Sequence, residues 1–359
     1  YSDNRHPDSV SFTRNINEDL QRRDFTVNAM AYNAEYGLVD PYGGKNDLKD
    51  KVIRCVGNPD TRFNEDALRI LRALRFASVY GFSIEENTSK SIFKNADLLK
   101  NIATERVISE FLKLICGKDA VKILDAYRET IAVIIPEITV MFNFNQNNIH
   151  HSYDLWQHTL TALGTIEPNP ILRMTMLLHD IGKPFVKTTD NSGQSHFQGH
   201  QLESKKIADK ILHRLRLPSD FINKTLLLIE YHDVRFNGSK KLMKKVMNVL
   251  GTDLTKQLLE VEYADISAQS EYQREEKLGY LETAKTHLNE IIKDNECFKL
   301  SQLDINGKDV LNLGVKEGRD VGNILDYLLM LVVDANVPNK KSILISKAKE
   351  YIYGNQINK

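Results

Sequence analysis

Hydrophobic and polar residues follow different patterns before and after Asn64. Before it, short runs of β-branched and aromatic residues occur at Val10–Thr13, Thr26–Tyr32 and Val52–Val56, and glycine and proline separate them. Such runs are typical of short β-strands joined by turns. After Asn64, apolar residues recur every three or four positions, and Gly81 stands where the first helix would end. The pattern therefore predicts a segment of short strands and turns followed by almost entirely helical structure.

Helical periodicity continues to the end of the chain, with polar interruptions. The polar break Asn143–Asn148 precedes a block that holds most of the histidines, and the last block has Gly314, Gly318 and Pro338 in its connections. We predict a predominantly α-helical protein with four segments: an α+β segment over 1–57, a helical neck and body over 58–145, an all-helical domain over 146–297 and a helical tail over 298–359.

Composition narrows the class of protein. A chain of 359 residues is long for one hydrophobic core, so two or three domains are expected. The formal net charge is zero, and a nucleic-acid partner would therefore bind to local basic patches. No apolar run reaches the length of a membrane span, so we expect no membrane partner. Three separated cysteines without a C-x-x-C pair indicate a reducing, cytoplasmic location.

Aspartate and arginine residues recur at three-residue spacing in the first predicted helix. Asp66 and Arg69 would be neighbours on its surface, and Arg72 and Arg75 continue the spacing. One such pair is commonly a solvated ion pair of little energetic value. Cytosine and adenine, however, both present an amino donor beside a ring-nitrogen acceptor, which a carboxylate and a guanidinium match. An Asp–Arg pair could therefore select CTP and ATP together and exclude GTP and UTP.

Three consecutive motifs carry a family resemblance. R-R-D-F-T-x-N-A-M-A begins at Arg22, D-P-Y-G-G-x-x-D-L at Asp40 and E-D-A-L-R-x-L-R-A-x-R-F at Glu65. This order resembles bacterial class II tRNA nucleotidyltransferases of the CCA-adding and poly(A)-polymerase type. The resemblance covers the first 115 residues, and I-N-G-K-D at 305–309 is similar to the family's C-terminal region. It implies that 1–57 is the C-terminal part of a nucleotidyltransferase head.

The resemblance also implies an activity and a set of site residues. The expected activity is addition of CCA to tRNA 3′ ends, with CTP, ATP and tRNA as partners. Arg23 would contact the sugar and phosphates of the nucleotide, whereas Asp66 and Arg69 would recognise the base. Arg72 and Arg75 would line the nucleotide pocket. A poly(A) polymerase that uses ATP alone shares these motifs, and addition of only part of CCA is also open.

One part of the family pattern is not in the sequence. Family members carry a G-G-x-x-R-D turn and a D-x-D pair whose carboxylates hold two Mg²⁺ ions for the transfer reaction. No D-x-D occurs in these 359 residues, and Asp24 and Asp40 match positions with other roles. Because the first residue is Tyr1, we expect the chain to be N-terminally truncated and the magnesium ligands to lie upstream.

A second group of candidate residues lies in the histidine-rich block. Its members stand at predicted helix ends or on helices, namely His158, His179, Asp180, His200, His232 and Asp265. A lone histidine on an apolar helix is more often a hydrogen-bonded core residue. Six such residues in one block instead suggest a hydrolytic metal site, because imidazole and carboxylate ligands with open positions activate water.

This block resembles the HD superfamily, whose pattern is H…HD…D on an all-helical fold. His158, His179, Asp180 and Asp265 match its four core positions, and His200 and His232 match the additional histidines of two-metal or phosphate-binding members. Lys183 matches a lysine near the substrate phosphate. The resemblance implies a site for Mg, Mn, Ni or Co, with Asp180 and Lys183 in the catalytic machinery of a phosphohydrolase for 2′,3′-cyclic phosphates or 2′-phosphates.

Two alternatives for this block stay open. It could be a structural domain with an empty pocket, or the protein could be an RNA-binding or HD phosphohydrolase protein with a vestigial transferase part. The other histidines are expected in loops, at His150 and His151, or on the surface, at His196, His213 and His287.

Overall fold

The computed structural model describes residues 15–148, 150, 153–315 and 318–357. The strand predicted at Val10–Thr13 and the loop histidine His151 lie outside these residues. The chain forms two compact units, one of residues up to Asp233 together with Ala264–Tyr272, and one of Val234–Tyr263 with Gln273–Lys359. The fold is predominantly helical, as predicted, with small two-stranded sheets. The predicted segment boundaries after residues 57, 145 and 297 stay predictions.

The first unit begins with short elements around a small apolar core of Leu20, Ala29 and Val56. These elements are α1 (Ile16–Gln21), β1 (Ala31–Asn33), β2 (Gly37–Val39), α2 (Gly44–Asp50) and β3 (Val52–Ile53), with β1 and β2 antiparallel.

The strand predicted over Thr26–Tyr32 is wrong in its first half, because Thr26–Asn28 forms a 3₁₀ turn. Oδ1 of Asp24 accepts hydrogen bonds from the backbone N–H of Phe25 and from Nδ2 of Asn28, which favours the turn. The strand predicted over Val52–Val56 is also shorter, since β3 ends at Ile53 and Cys55 forms only an isolated antiparallel bridge with Phe25.

The next helices form the neck and body. They are α3 (Pro59–Glu65), α4 (Leu68–Tyr80), α5 (Glu86–Asn95), α6 (Thr104–Ile115), α7 (Ala120–Ala126) and α8 (Arg128–Ala132), with strand β4 (Ser83–Ile84) parallel to β3. The single helix predicted from Asn64 is wrong, because Asp66 has extended backbone angles between α3 and α4. Oδ1 of Asp66 accepts from the backbone N–H of Leu68 and so caps the start of α4. The predicted stop at Gly81 is confirmed, with φ at 65°.

Helix α4 packs closely against α6. Its apolar face buries Ile70, Leu71 and Leu74, and each such side chain contributes about 1.5–3 kcal/mol to folding. Just after α6 the backbones come into close contact, because a Cβ on Gly117 would lie 2.6 Å from the backbone carbonyl carbon of Ser78. This packing fixes the position of the arginine-bearing helix.

The histidine-rich helices complete the first unit. They are α9 (Leu155–Thr165), α10 (Pro170–Leu178), α11 (Lys183–Val186), α12 (His200–Arg214) and α13 (Ser219–Tyr231), with an antiparallel hairpin of β5 (Thr188–Thr189) and β6 (Ser195–His196) between α11 and α12. The C-terminal residues of α14 (Lys240–Ser267) also belong to this unit. Asn169 caps α10 through its side chain, and Pro170 occupies the first turn.

The second unit contains most of α14, which is interrupted at Gly251, and then α15 (Arg274–Lys293), α16 (Gly307–Leu311), α17 (Arg319–Val333) and α18 (Lys341–Ile357). A core that includes Val310, Leu328 and Leu344 holds the last three helices together. The predicted helical tail is therefore confirmed. Among the described residues, no helix is both long and apolar enough for a membrane crossing.

Candidate functional sites

A cavity of about 490 Å³ lies beside the start of α4. Its lining residues are Arg22, Arg23, Asp24, Asn28, Asp66, Arg69, Arg72 and Phe76. Four of the five predicted nucleotide-binding residues, Arg23, Asp66, Arg69 and Arg72, therefore meet in one place. The four arginines outnumber the two aspartates, so the cavity favours an anionic ligand such as a polyphosphate.

Asp66 and Arg69 reach the cavity from different local structures. Asp66 lies in the extended link between α3 and α4, and Arg69 lies in the first turn of α4. The Arg69 guanidinium donates to Oε2 of Glu65 at 2.7 Å and to the backbone carbonyl of Arg22 at 2.9 Å. These contacts hold a planar, permanently charged donor group at the cavity wall.

Arg72 is held by the buried carboxylate of Asp24. Its Nε and NH2 atoms donate to Oδ2 of Asp24 at 2.8 Å and 2.6 Å, and Asp24 is only 7% exposed. Because Asp24 also accepts from Asn28, the pair links α4 to the 3₁₀ turn. Arg72 therefore enters the cavity in a fixed orientation.

Arg75 and Arg23 have different surroundings. Nε of Arg75 lies 2.8 Å from Oε2 of Glu110 on α6, and Arg75 is not among the residues that line the cavity. Arg23 lines the cavity and donates to Oδ2 of Asp19 at 3.1 Å. Hydrogen bonds from Arg22 and Arg23 lower the pKa of Asp19.

Sequence reasoning did not assign Asn28, Phe76 or Arg106 to this site. Asn28 and Phe76 are part of the quoted motifs, so the motifs themselves were a usable signal. Arg106 lies on α6, outside these motifs, and donates from NH2 to Oδ2 of Asp66 at 2.8 Å. The sequence carries no signal for this contact, which depends on how α6 packs beside Asp66.

The second site unites the predicted metal ligands of the histidine-rich helices. His179 and His232 cap the ends of α10 and α13, and His200 begins α12. In each of these three, Nδ1 lies 2.7–2.8 Å from a backbone carbonyl three residues earlier. Nδ1 of His158 lies 3.3 Å from the carbonyl of Ala268. Because a carbonyl only accepts, Nδ1 carries the proton in the neutral form of these imidazoles, and Nε2 is then the atom that can bind a metal ion.

The four Nε2 atoms converge on two carboxylates. Nε2 of His158 lies 2.9 Å from Oδ1 of Asp265, and Nε2 of His179 lies 3.1 Å from Oδ2 of Asp180. On the other side of Asp180, Oδ1 lies 3.3 Å from Nε2 of His200 and 3.5 Å from Nε2 of His232. Two groups of ligand atoms result, and Asp180 belongs to both.

Burial and charge shift the pKa values of these groups. Burial alone would lower the pKa of His179, but the neighbouring Asp180 and Asp265 raise it to about 10. Burial would raise the pKa of Asp180, but His179 and Lys183 hold it well below its usual range. Nζ of Lys183 lies 2.7 Å from Oδ2 of Asp180 and donates to Oε1 of Gln146. The cluster thus carries positive charge close to its carboxylates.

The donor set fits a divalent cation. Among the described residues, Nε2 of His179 and both carboxylate oxygens of Asp180 are buried without a hydrogen bond of good geometry. The two Nε2 atoms of His200 and His232 lie only 3.1 Å apart, and two lone pairs at that distance require a proton or a cation between them. Imidazole nitrogens oriented by backbone carbonyls are typical of metal ligands.

The remaining described histidines lie outside this cluster. His196 is half exposed and lies 2.8 Å from Asp190, and His213 is exposed beside Asp209. His287, which was expected on the surface, is less exposed, and its Nε2 lies 3.0 Å from the carbonyl of Gly238. His150 packs against the ring of Tyr272.

Three protein-family models match parts of this chain. Residues 1–54 match the poly A polymerase head domain, and residues 81–142 match the family described as the probable RNA and SrmB-binding site of polymerase A. Residues 200–348 match domain 2 of tRNA nucleotidyltransferases. The class of protein is therefore a nucleotidyltransferase of the polymerase A type.

Individual relatives identify the family within this class. The CCA-adding enzyme of Ligilactobacillus salivarius is 30% identical over 98% of this chain and 76% of its own length. That of Geobacillus thermodenitrificans is 39% identical over 48% of this chain and 45% of its own. The chain belongs to the family of CCA-adding enzymes.

Solved structures agree with this fold. The Bacillus stearothermophilus CCA-adding enzyme in complex with CTP superposes with a TM-score of 0.70 at 25% identity, over 98% of this chain and 78% of that one. The Thermotoga maritima CCA-adding enzyme complexed with tRNA shares the fold, with a TM-score of 0.53 at 22% identity over 94% of this chain and 74% of that one.

Proposed function

We propose that this chain selects CTP and ATP for the addition of CCA to tRNA 3′ ends. The observation that carries the proposal is the arginine-lined cavity in which Asp66 and Arg69 both present hydrogen-bonding groups. Relatives over nearly the whole chain are CCA-adding enzymes, and one solved relative holds CTP. The partners of this chain would accordingly be CTP, ATP and tRNA in the cytoplasm.

Base selection follows from hydrogen-bond complementarity. The Asp66 carboxylate would accept from the exocyclic amino group of cytosine or adenine, and the Arg69 guanidinium would donate to the ring nitrogen. Uracil and guanine present a donor where Arg69 donates and an acceptor where Asp66 accepts. Binding them would leave polar groups without partners, which costs about 1–3 kcal/mol each.

The remaining arginines provide charge for the triphosphate. Arg22, Arg23 and Arg72 line the same cavity, and Arg72 is kept in place by Asp24. In the transfer itself, a primer hydroxyl would displace pyrophosphate from the α-phosphorus, and magnesium would supply charge stabilisation. The role derived for these residues is selection and orientation of the nucleotide.

The test compares Asp66→Ala with Asp97→Ala as a matched surface control. Asp97 pairs with Lys100 and is exposed, so its removal should change nothing. We expect Asp66→Ala to lower the preference for CTP over UTP by about tenfold or more, since one base-directed hydrogen bond is lost. Equilibrium dissociation constants for CTP, ATP, GTP and UTP measure this. Unchanged selectivity in Asp66→Ala contradicts the proposed role, and binding of ATP alone favours a poly(A) polymerase.

We further propose that the histidine cluster is an HD-type phosphohydrolase site. The supporting observation is the convergence of four Nε2 atoms on Asp180 and Asp265 within one buried cluster. A bound Mg, Mn, Ni or Co ion would supply Lewis-acid activation of water and phosphate. His158, His179, Asp180 and Asp265 would hold one ion, and Asp180, His200 and His232 a second. Substrates would be 2′,3′-cyclic phosphates or 2′-phosphates at RNA ends.

Lys183 would take the role of a phosphate-binding group in this site. Its ammonium group is nearly buried and lies at the carboxylate of Asp180, so it would contact a phosphate held beside the ligands. Gln146, which accepts from Nζ of Lys183, orients it.

Asp180→Ala tests this second proposal, with Asp209→Ala as the control. Asp209 is exposed on α12 and lies beside His213, away from the cluster. We expect Asp180→Ala to lose bound metal and the hydrolysis of 2′,3′-cyclic AMP, because a charged ligand common to both groups is removed. Elemental analysis and turnover with magnesium, manganese, nickel and cobalt are the measurements. If the unaltered protein binds no metal and shows no turnover, the histidine-rich helices form a structural domain and not a hydrolase.

A further inference from the structure

Two partly buried phenylalanines lie beside the histidine cluster. The ring centres of Phe144 and Phe197 are 6.3 Å apart, and the ring planes form an angle of 58°. We propose that these two rings contact the base of a ribonucleoside whose 2′-phosphate or 2′,3′-cyclic phosphate reaches the histidine cluster. The site would then bind nucleotides and not phosphoesters in general. This inference rests on the proposed phosphohydrolase function of the cluster.

Lys183 connects Phe197 to the candidate metal ligands. Its ammonium nitrogen lies 5.5 Å from the ring centre of Phe197 and 2.7 Å from Oδ2 of Asp180. The backbone carbonyl of Phe197 also lies 2.8 Å from Nδ1 of His200, which belongs to the second group of ligand atoms. A phosphate bound at Lys183 would therefore leave its nucleoside close to the ring of Phe197.

Phe144 belongs to the polar break that precedes the histidine-rich helices. Two residues later, Oε1 of Gln146 accepts a hydrogen bond from Nζ of Lys183 at 3.1 Å. The backbone N–H of Ser195 in β6 donates to the carbonyl of Asn147 at 3.0 Å. The polar break is thereby held against the cluster and against the hairpin that leads to α12. These contacts keep the ring of Phe144 beside the site.

The arrangement of the two rings suits a flat aromatic ligand. A base that stacks on one ring would meet the edge of the other, because the ring planes are tilted. Nζ of Lys187 lies 4.9 Å from the ring centre of Phe144, so a cation accompanies each ring and favours an anionic nucleotide. Stacking tolerates all four bases, since each has a π-face. We therefore expect the site to require a base but to discriminate little between bases.

The test uses Phe144→Leu and Phe197→Leu, with Phe93→Leu as the matched control. Phe93 on α5 is also partly exposed, and its ring stacks on Tyr127 with ring centres 5.1 Å apart. The probes are adenosine 2′-phosphate and inorganic phosphate, titrated in the presence of manganese. Only binding that is lost in Asp180→Ala is counted, which excludes nucleotide bound in the arginine-lined cavity.

We expect Phe144→Leu and Phe197→Leu to bind adenosine 2′-phosphate about tenfold more weakly, because stacking with the base is lost. The affinity for inorganic phosphate should not change, since the candidate ligands and Lys183 remain. Phe93→Leu should match the unaltered protein in both titrations. The midpoint of thermal unfolding identifies a variant that does not fold, and the other leucine variant then decides.

A dinucleotide that ends in a 2′-phosphate distinguishes two sources of the nucleoside. Binding of the dinucleotide more tightly than adenosine 2′-phosphate indicates an RNA end, whereas equal binding indicates a free nucleotide. Either result supports the base contact when both leucine variants weaken it.

Four other outcomes separate this inference from the proposed function. Equal affinity for adenosine 2′-phosphate in all folded variants overturns the base contact, but metal-dependent turnover in the same protein leaves the proposed function intact. Equal weakening of both probes also overturns the base contact, because the rings would then only maintain the shape of the site. If the unaltered protein binds the nucleotide through both rings but hydrolyses no phosphoester, the proposed function fails and the base contact stands. Binding of neither probe overturns both.

Discussion

At the scale of single residues, arginines at three-residue spacing have different partners. Arg69 contacts Glu65, Arg72 contacts Asp24 and Arg75 contacts Glu110. Steps of three residues on a helix with 3.6 residues per turn rotate the side chain progressively away from its starting direction. Arg69 and Arg72 therefore reach the cavity, whereas Arg75 meets α6.

This difference predicts that Arg72→Gln weakens nucleotide binding, whereas Arg75→Gln changes only the stability of the fold. We expect Arg72→Gln to weaken CTP binding about tenfold, because a charged group that lines the cavity is lost, and also to destabilise the fold, because Asp24 stays buried without its counter-ion. Arg75→Gln should instead leave Glu110 buried without its counter-ion and lower the free energy of unfolding by roughly 3–5 kcal/mol. Nucleotide titrations and denaturant unfolding of the two variants separate the effects. Weak CTP binding with normal stability in Arg75→Gln would mean that Arg75 contacts the nucleotide.

The cysteines give a prediction about pH. Burial raises the pKa of Cys55 to about 12 and that of Cys116 to about 11. Because the thiolate is the reactive form, both residues should react slowly with a disulfide reagent at pH 8 in the folded protein. The rate should rise as the pH approaches 11, and unfolding at pH 8 should expose fast-reacting thiols. Rapid reaction of Cys55 in the folded protein at pH 8 would contradict its burial.

At the scale of elements, the close contact of α11 with α12 supports the histidine cluster. A Cβ on Gly182 would lie 2.5 Å from the backbone nitrogen of Ser204 and 2.6 Å from the carbonyl of His200. The backbone N–H of Gly182 also donates to Oγ of Ser204 at 2.9 Å. Only glycine therefore allows α12 to bring His200 next to Asp180.

Gly182→Ala should consequently displace α12 and disturb the cluster. We expect a loss of about 1–3 kcal/mol in the free energy of unfolding, as for overpacking elsewhere, together with a lower content of bound metal. Gly279→Ala is the control, because nothing lies within 4 Å of its added Cβ in α15. That variant should be as stable as the unaltered protein or about 0.5–1 kcal/mol more stable. Equal metal content and stability in both variants would refute the steric argument.

Sequence signals predicted some element boundaries correctly and missed others. Gly81 ends α4 as predicted, because a left-handed residue at a helix end has a clear sequence signal. The break between α3 and α4 at Asp66 was not predicted, because apolar residues keep helical spacing through both helices. The 3₁₀ turn at Thr26–Asn28 was not predicted either, because it depends on side-chain hydrogen bonds to Asp24.

At the scale of the whole molecule, the sequence motifs predicted much of the cavity lining. They did not predict the ion pairs that hold the lining residues in place. The Asp24–Arg72 pair joins residues 48 positions apart, and the Asp66–Arg106 pair joins residues 40 positions apart. Such contacts depend on how helices pack, which the period of a single helix does not encode. The histidine cluster was predicted as a set, because its residues match a pattern, although their convergence is a property of the tertiary structure.

The nucleotide cavity and the histidine cluster lie on different elements of the first unit, so their effects should be independent. Asp66→Ala should leave metal content unchanged, and Asp180→Ala should leave CTP affinity unchanged. In the double variant, the metal content should equal that of Asp180→Ala, and the free energy of CTP binding should equal that of Asp66→Ala within about 0.5 kcal/mol, as for sites without common partners. Elemental analysis and CTP titration of the three variants provide the comparison. A strong effect of Asp180→Ala on CTP binding would contradict the separation of the sites.

Selection of CTP and ATP by the arginine-lined cavity is proposed to act through the base. The most direct measurement is equilibrium binding of all four nucleoside triphosphates to the unaltered protein at one magnesium and salt concentration. All four carry the same triphosphate, so differences in affinity report on the base alone. We predict that CTP and ATP bind about tenfold or more tightly than UTP and GTP. Equal affinities for all four would contradict the account.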